Sequence, residues 1–337
     1  MSRVLVTQPF DPSQLKGFQA LLGPECDLGM VSSLDLKEFE RLAQDAEVLL
    51  NIFRPIHDEL LQLAPHVKFV QLLTVGYDQL DFKALARRQI LAANAPGSNT
   101  EAVAEHTILF MLSLLKNYTQ AEKSTRDNKW EAMNLIRAGI GDLSTATVGL
   151  VGFGDIGRAV ARRLSGFGSQ IFYTKPHRLD PAEEERLGVH YASLPDLLAA
   201  STIVSLHLPM SEQNYHMLNA ERLALMRPDA LVINTSRGKL IDEQALREAL
   251  LQGKIAGAGL DVLEHEIAGG NIFADLPQVV VTPHISGSSQ QAFRNTTSMS
   301  AKNIMRFLHG ERPRYLVFDP AASLPTAGSQ EASTEER

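Results

Sequence analysis

Arg237, Glu266 and His284 each follow a short apolar run: Arg237 comes after "ALVINTS", Glu266 after "AGAGLDVLEH" and His284 after "VVVTP". In an open parallel sheet, ligands collect at the carboxyl ends of the strands, so residues far apart in the chain converge on one crevice. The three side-chain types suit one chemistry. An arginine is a cation for a carboxylate or a carbonyl oxygen, and a histidine exchanges a proton near neutral pH. A carboxylate beside an imidazole favours the imidazolium, the role open to Glu266. Hydride transfer between a 2-hydroxy acid and a nicotinamide needs these three functions. Taken singly, each residue has an ordinary reading: a core histidine, a surface charge, a structural clamp. The constellation is what points to catalysis.

The hydride carrier has its own signature. "TVGLVGFGDIGRAVARRL" places Gly152, Gly154 and Gly157 directly after an apolar strand and at the opening of an amphipathic helix. In that context the first glycine makes the tight turn, the second admits a pyrophosphate, and the third lets helix and strand pack closely. Asp155 and Ile156, between the second and third glycines, count with them as cofactor-facing positions, and helix N–H groups bind the phosphates. The ribose-reading position falls about 20 residues onward, at Thr174 in "YTKPHR". There the chain offers Thr174, Lys175, His177 and Arg178 and no carboxylate. An acidic residue would accept the adenosine 2′-OH and repel a 2′-phosphate, so the hexapeptide favours NADP. The alternative is a solvated basic turn with an indifferent or NAD-preferring site.

The elements that must position these groups are legible as alternation. "RVLVT", "CDLGMV", "AEVLLNI", "VKFVQLLT" and "ILAAN" read as strands separated by helical stretches such as "SLDLKEFERLAQ", a β-α-β pattern with a parallel sheet. "APGSNTEAVAEHTILFMLSLLKN" marks a boundary: Pro96 and Gly97 break the chain, and Ser98 with Glu101 fits a capping box for a long apolar helix. So apolar a helix needs burial on more than one side, in a core or at a subunit interface. A second series follows in "TVGLVGFG", "QIFYT", "STIVSLHLP", "ALVINTSRG", "AGAGLDV" and "QVVVTPH". "SQQAFRNTTSMSAKNIMRFLHGERP" then reads as a long helix returning to the first domain. The polar end of the chain, residues 321–337, is expected to be disordered.

The chain has 337 residues, 44% hydrophobic and 21% charged, with net charge −7. That length suits two domains, and the charge supplies no basic field for nucleic acid. No apolar stretch approaches membrane-spanning length, and the start resembles no signal peptide. Cys26 is the only cysteine, which rules out an internal disulfide and a cysteine-rich metal site and suits the cytoplasm. No metal is expected.

With "VGYDQLD", "NAPGSNTEAVAEHT", "TVGLVGFGDIG", "VSLHLPMSEQNYHML", "INTSRGKLIDEQAL", "GLDVLEHE" and "TPHISG" in this order, the chain resembles the D-isomer-specific 2-hydroxyacid dehydrogenase family from about residue 45 to about residue 315. The resemblance implies an α/β protein of two doubly wound parallel-sheet domains. A Rossmann nucleotide domain (99–286) is inserted in a flavodoxin-like substrate domain (1–98 plus 287–320). It also implies a homodimer built around the nucleotide domain, and domain closure over substrate. By the same resemblance Arg237 binds substrate, Glu266 pairs with His284, and His284 transfers the proton. Val75 and Gly76 offer N–H groups to the substrate carboxylate. Asp261 meets the nicotinamide carboxamide, and His207, Pro209, Asn214, Ser236 and Gly287 line the cofactor. Gln89 and Asn214 depart from the family's usual glycine and threonine.

Leu72 and Leu73 stand where phosphoglycerate-specific members resemble one another in an arginine, and Val75 where phosphite-oxidising members carry a lysine. The resemblance is to the glyoxylate and hydroxypyruvate reductases, with a small 2-oxo or 2-hydroxy acid as substrate and NADP or NAD as cofactor. Asn51 and Arg54, in "NIFRP", are expected in a loop facing the substrate side chain. A corepressor-like, nucleotide-sensing binding protein of the same fold is the alternative.

Overall fold

The computed structural model describes residues 2–266 and 270–322. The chain divides into two α/β units, the first holding the described residues of Met1–Asn99 and Gln290–Arg337, the second Thr100–Ser289. From residue 323 onward the expected disordered tail lies outside the described residues. Among the described residues, no helix is long and apolar enough to cross a membrane.

Strands are numbered along the chain. In the first unit they are β1 (Ser2–Val6), β2 (Cys26–Met30), β3 (Val48–Asn51), β4 (Phe69–Leu72) and β5 (Leu91–Ala93). These five pair in parallel. A sixth strand, β13 (Leu316–Phe318), joins the edge antiparallel to β5 and gives the order β13-β5-β4-β3-β1-β2. Central strands such as "VLLN" and "FVQL" are buried at every position. Helices therefore cover both faces, and the strands read as continuous apolar runs. One face packs Leu5, Leu49 and Val70 with Leu85; the other packs Val4, Leu50 and Phe69 with Ile304 of the helix Gln290–Leu308. Gln89 ends the helix Phe82–Arg88 in the left-handed region (φ 54°). That conformation favours glycine, which accounts for the glycine usual at this position.

The second unit holds seven parallel strands: β6 (Thr147–Val151), β7 (Gln170–Thr174), β8 (Val189–Tyr191), β9 (Ile203–Leu206), β10 (Leu231–Asn234), β11 (Gly257–Leu260) and β12 (Val279–Val281). Their order is β12-β11-β10-β9-β6-β7-β8. The chain runs outward through β7 and β8, then returns to the other side of β6, so β6 and β9 flank a topological switch point. In the first unit β1 and β3 do the same. The three-residue β8, "VHY", keeps only Val189 buried, so it leaves no apolar run to read.

The helix Thr100–Leu115 buries Phe110 and Met111 against the β6, β9 and β10 face, beside Val148, Ile203 and Ile233. Truncating such a fully buried aromatic costs about 3–5 kcal/mol. The expected capping box does not form. Ser98 donates to the Ala95 carbonyl (2.8 Å) and accepts from Thr296 (2.8 Å), while the Glu101 carboxylate takes Arg162 (2.8 Å) and Arg163 (2.6 Å). Partners distant in sequence outcompete the local cap for both side chains.

Candidate active site

The glycine turn sits at the switch point of the second unit. Gly152 has φ +90°, and a Cβ there would lie 2.4 Å from the His207 carbonyl oxygen, so β6 and β9 close on each other only with glycine in place. Its N–H donates to the Thr174 carbonyl (2.9 Å), tying in the end of β7. Gly157, in the first turn of the helix Asp155–Phe167, is likewise required: a Cβ would meet the Gly152 carbonyl at 2.7 Å. Gly154, the N-cap, differs. It is exposed, and a Cβ on it would meet nothing within 4 Å. The space at the helix N-terminus is the cradle a side chain would fill, and it fits a pyrophosphate. Asp155 and Ile156 follow in the helix's first turn.

Two further groups border this edge. His207 Nε2 contacts the Ser205 hydroxyl (3.0 Å), while its buried Nδ1 has no partner among the described residues. Burial pushes this imidazole down to about 4, so it is neutral at pH 7. Asn214 turns its amide back to the Pro209 carbonyl (3.1 Å) and shapes that loop.

At the end of β7, Thr174 and Lys175 are half-buried. Lys175 is in no ion pair among the described residues. Arg178 is placed otherwise than expected. Its guanidinium grips Glu184 through Nε (2.9 Å) and Nη2 (2.8 Å) and lies over the Tyr191 ring. Glu184 also accepts from the buried Tyr173 hydroxyl (2.6 Å). Hydrogen bonds from Arg178 and Tyr173 hold the Glu184 carboxyl down to about 2. The carboxylate missing from "YTKPHR" is thus supplied by the next helix, and it occupies Arg178. That corrects the expectation that Arg178 offers itself to a 2′-phosphate.

At the ends of β10, β11 and β12 stand the three residues with which the chemistry began. Asn234, fully buried, shapes the turn carrying Arg237: its amide donates to the Arg237 carbonyl (2.9 Å) and accepts from Ser236 N–H (3.0 Å). The Ser236 hydroxyl donates to the Leu206 carbonyl (2.7 Å). His284 lies in the left-handed region (φ 54°), a costly conformation for a non-glycine residue. Its Nδ1 is 3.0 Å from both oxygens of Glu266. The pair is part-exposed, at 45% for the imidazole and 38% for the carboxylate.

Asp261 is also placed differently from expectation. It is 1% exposed, and its carboxylate accepts from Thr282 Oγ1 (2.6 Å) and from the N–H groups of Ile285 (2.9 Å) and Ser286 (2.8 Å). Burial pushes this carboxyl up, but the hydrogen bonds from Ser286, Thr282 and Ile285 outweigh it and hold the group below its ordinary value. The side chain braces the turn that presents His284, beside Gly287, rather than offering oxygens outward. His106 Nε2 completes the brace at 3.0 Å from Thr282 Oγ1. Thr282 spends its only proton on Asp261, so His106 is the donor. Sequence reasoning passed over Asn234, His106 and Thr282. The asparagine at a strand end, a known former of local turns, was the available signal.

In the first unit, Asn94 donates to the Val75 carbonyl (2.6 Å) and Thr74 Oγ1 to the Gly76 carbonyl (2.7 Å). The N–H groups of Val75 and Gly76 meet no acceptor among the described residues. Asn51 and Arg54 do not face outward as expected. Asn51 is fully buried, bonded to Thr7 Oγ1 (2.5 Å) and to the Arg54 carbonyl (3.0 Å). Arg54, 8% exposed, donates to the Thr7 (3.0 Å) and Leu34 (3.1 Å) carbonyls. Buried polar groups need partners, and the interior supplies them here.

Residues 108–286 match the model of the D-isomer specific 2-hydroxyacid dehydrogenase NAD binding domain. The chain belongs to that family. Glyoxylate reductase of Korarchaeum cryptofilum is 38% identical over 85% of this dehydrogenase and 87% of the relative. D-lactate dehydrogenase of Aquifex aeolicus, solved with NAD and lactic acid, is 26% identical, with TM-score 0.81 over 92% of this chain and 96% of that one. An acyclic imino acid reductase (Bsp5) in complex with NADPH and D-Arg is also 26% identical, with TM-score 0.81 over 94% of this chain and 100% of that one. The dehydrogenase is an oxidoreductase acting on CH–OH donors with a nicotinamide dinucleotide. The relatives do not favour the corepressor-like alternative.

Proposed function

We propose that the dehydrogenase reduces a small 2-oxo acid to the D-2-hydroxy acid and prefers NADPH to NADH, with glyoxylate and hydroxypyruvate as the first substrates to test. The observation that carries this reading is the pairing of His284 Nδ1 with both oxygens of Glu266, 3.0 Å from each. With Nδ1 so held, Nε2 is left to give a proton to the substrate oxygen in reduction and take it back in oxidation. Arg237 polarises the carbonyl and binds the carboxylate. The N–H groups of Val75 and Gly76, which meet no acceptor among the described residues, suit a carboxylate as ligand. A bound nicotinamide supplies the hydride. For the dinucleotide, Gly154 leaves open space at a helix N-terminus, and a polar cofactor group would satisfy the orphaned His207 Nδ1.

The preference for NADPH rests on Thr174, which repels no phosphate, and on the unpaired Lys175; the imino acid reductase neighbour holds NADPH. A homodimer belongs to the same reading. The helices Tyr118–Arg126 and Ala132–Ala138 and their flanks expose Tyr118, Trp130, Met133, Ile136 and Ile140, side chains of the kind an interface with a second copy would cover. A groove of about 550 Å³ lies beside them at the amino ends of the second unit's strands, the edge opposite the chemistry. The single, buried Cys26 fits a cytoplasmic setting.

The test is steady-state kinetics on a panel of 2-oxo acids with NADH and NADPH in parallel. His284→Ala and Arg237→Ala are each expected to lower kcat/KM by about 10²- to 10⁴-fold with cofactor binding retained. Near-normal turnover in either variant overturns the assignment, and a clear preference for NADH overturns the cofactor choice.

A further inference from the structure

Arg237 and Glu266 follow different strands, β10 and β11, and their loops meet at one point. A Cβ on Gly238 would lie 2.0 Å from the Leu263 carbonyl carbon and 2.4 Å from the Glu264 nitrogen, so the two backbones are in contact. Glu243 lies in the first turn of the helix Glu243–Leu251. Its Oε1 accepts the Glu264 N–H at 2.6 Å. Burial raises this carboxyl, against a smaller opposite pull from the hydrogen bond. A short bond from a partly buried carboxylate to a single N–H fixes a loop far better than an exposed contact does.

The Glu264 side chain extends the knot. Its carboxylate accepts from the Tyr215 hydroxyl (3.2 Å) and lies 3.3 Å from His216 Nε2. The two rings stack 3.9 Å apart. The His216 N–H donates to the Lys239 carbonyl (2.9 Å). Loops after three successive strands are thereby tied together at Glu264 and Lys239, two residues from Glu266 and two from Arg237. None of the roles above uses Glu243 or Glu264.

We propose that Glu243 is a positioning residue: through the Glu264 N–H it sets the loop that holds Glu266 against His284, in register with Arg237. The proposal rests on the catalytic reading of Glu266 and His284. Misplacing a reacting group by about 1 Å can cost about 100-fold in rate, so removing the anchor acts on turnover and leaves the glycine turn untouched.

The experiment compares Glu243→Ala, Glu243→Gln and Glu266→Gln in the full chain, measuring kcat and its pH profile, and NADPH Kd by fluorescence. Glu243→Ala is expected to lose about 10- to 100-fold in kcat, with Kd for NADPH unchanged and the pH profile displaced in the same direction as that of Glu266→Gln. Glu243→Gln keeps an acceptor oxygen and is expected to restore most of the rate and the wild-type profile. If Glu243→Ala does not fold, Glu243→Asp withdraws the acceptor by one methylene and carries the same comparison. The proposal is overturned if Glu266→Gln is impaired while Glu243→Ala keeps wild-type kcat, or if Glu243→Ala is slow with an undisplaced pH profile. A wild-type rate and profile in Glu266→Gln overturns the catalytic reading as well.

Discussion

Both units return their chain beside the first strand, and the two switch points are built oppositely. Between β6 and β9 the turn is glycine: Gly152 lets the strands close, Gly154 leaves space, and His207 keeps a ring nitrogen without a partner among the described residues. Between β1 and β3 the corresponding position is plugged. Thr7 bonds Asn51, Asn51 bonds the Arg54 carbonyl, and the Arg54 guanidinium folds back on Thr7 and Leu34 and over the Phe39 ring. A local motif recurs, too. Asn51 and Asn234 are both fully buried at a strand end, and each donates its amide to the carbonyl of the arginine three residues on. Topology therefore creates a crevice, and side chains decide whether it binds a ligand or serves as core.

That contrast can be broken most forcefully at Gly152. Gly152→Ala forces a Cβ into the His207 carbonyl at a positive φ, and we expect either no folded protein or loss of dinucleotide binding by more than about 100-fold, strain of about 1–3 kcal/mol being joined by steric overlap. Gly154→Ala is the control. It should fold with nearly wild-type Tm and weaken cofactor Kd, because its Cβ enters only the open cradle; unchanged Kd would show that the cradle holds no phosphate.

In the plugged crevice the same kind of change should act on stability alone. Asn51→Ala leaves buried partners unsatisfied and should cost about 1–3 kcal/mol in denaturant unfolding, with KM for the 2-oxo acid unchanged. A raised KM without loss of stability would return Asn51 to the substrate side. Effects of similar size, but confined to the choice of cofactor, are expected at the end of β7. Lys175→Ala should weaken NADPH by about 1.5–3 kcal/mol, the range for a charged hydrogen bond, and leave NADH alone, whereas Arg178→Ala should alter the NADPH to NADH ratio much less, its fork being taken by Glu184. Equal effects of the two would contradict the role of that ion pair.

The least effect is one of acid stability. The Glu184 carboxyl is lowered from 4.5 to about 2, so its contribution is present above the ordinary carboxylate value and is lost as pH falls from about 4.5 toward about 2. Tm of the wild type should fall more steeply across that window than Tm of Glu184→Gln. Parallel curves would show the pair to be solvent-screened.

Much of the framework was written in the sequence because it depends on local pattern. The apolar strands, the glycine turn and the long helices follow from periodicity and from the backbone freedom of particular residues. β8 and β13 escaped because a strand of three residues, half exposed or paired only at an edge, has almost no pattern. The order of motifs likewise pointed to the family, and the positions after apolar strands singled out Arg237, Glu266 and His284. Tertiary structure alone decided the partners. The capping box was lost because Ser98 and Glu101 bond residues far along the chain. Arg178 was withdrawn by Glu184, Asn51 and Arg54 turned inward toward Thr7, and Asp261 became a brace through Thr282 and the 285–286 backbone. In each case a polar side chain leaving water takes whichever donor or acceptor the folded chain brings within reach, and no spacing in the sequence records which one that is.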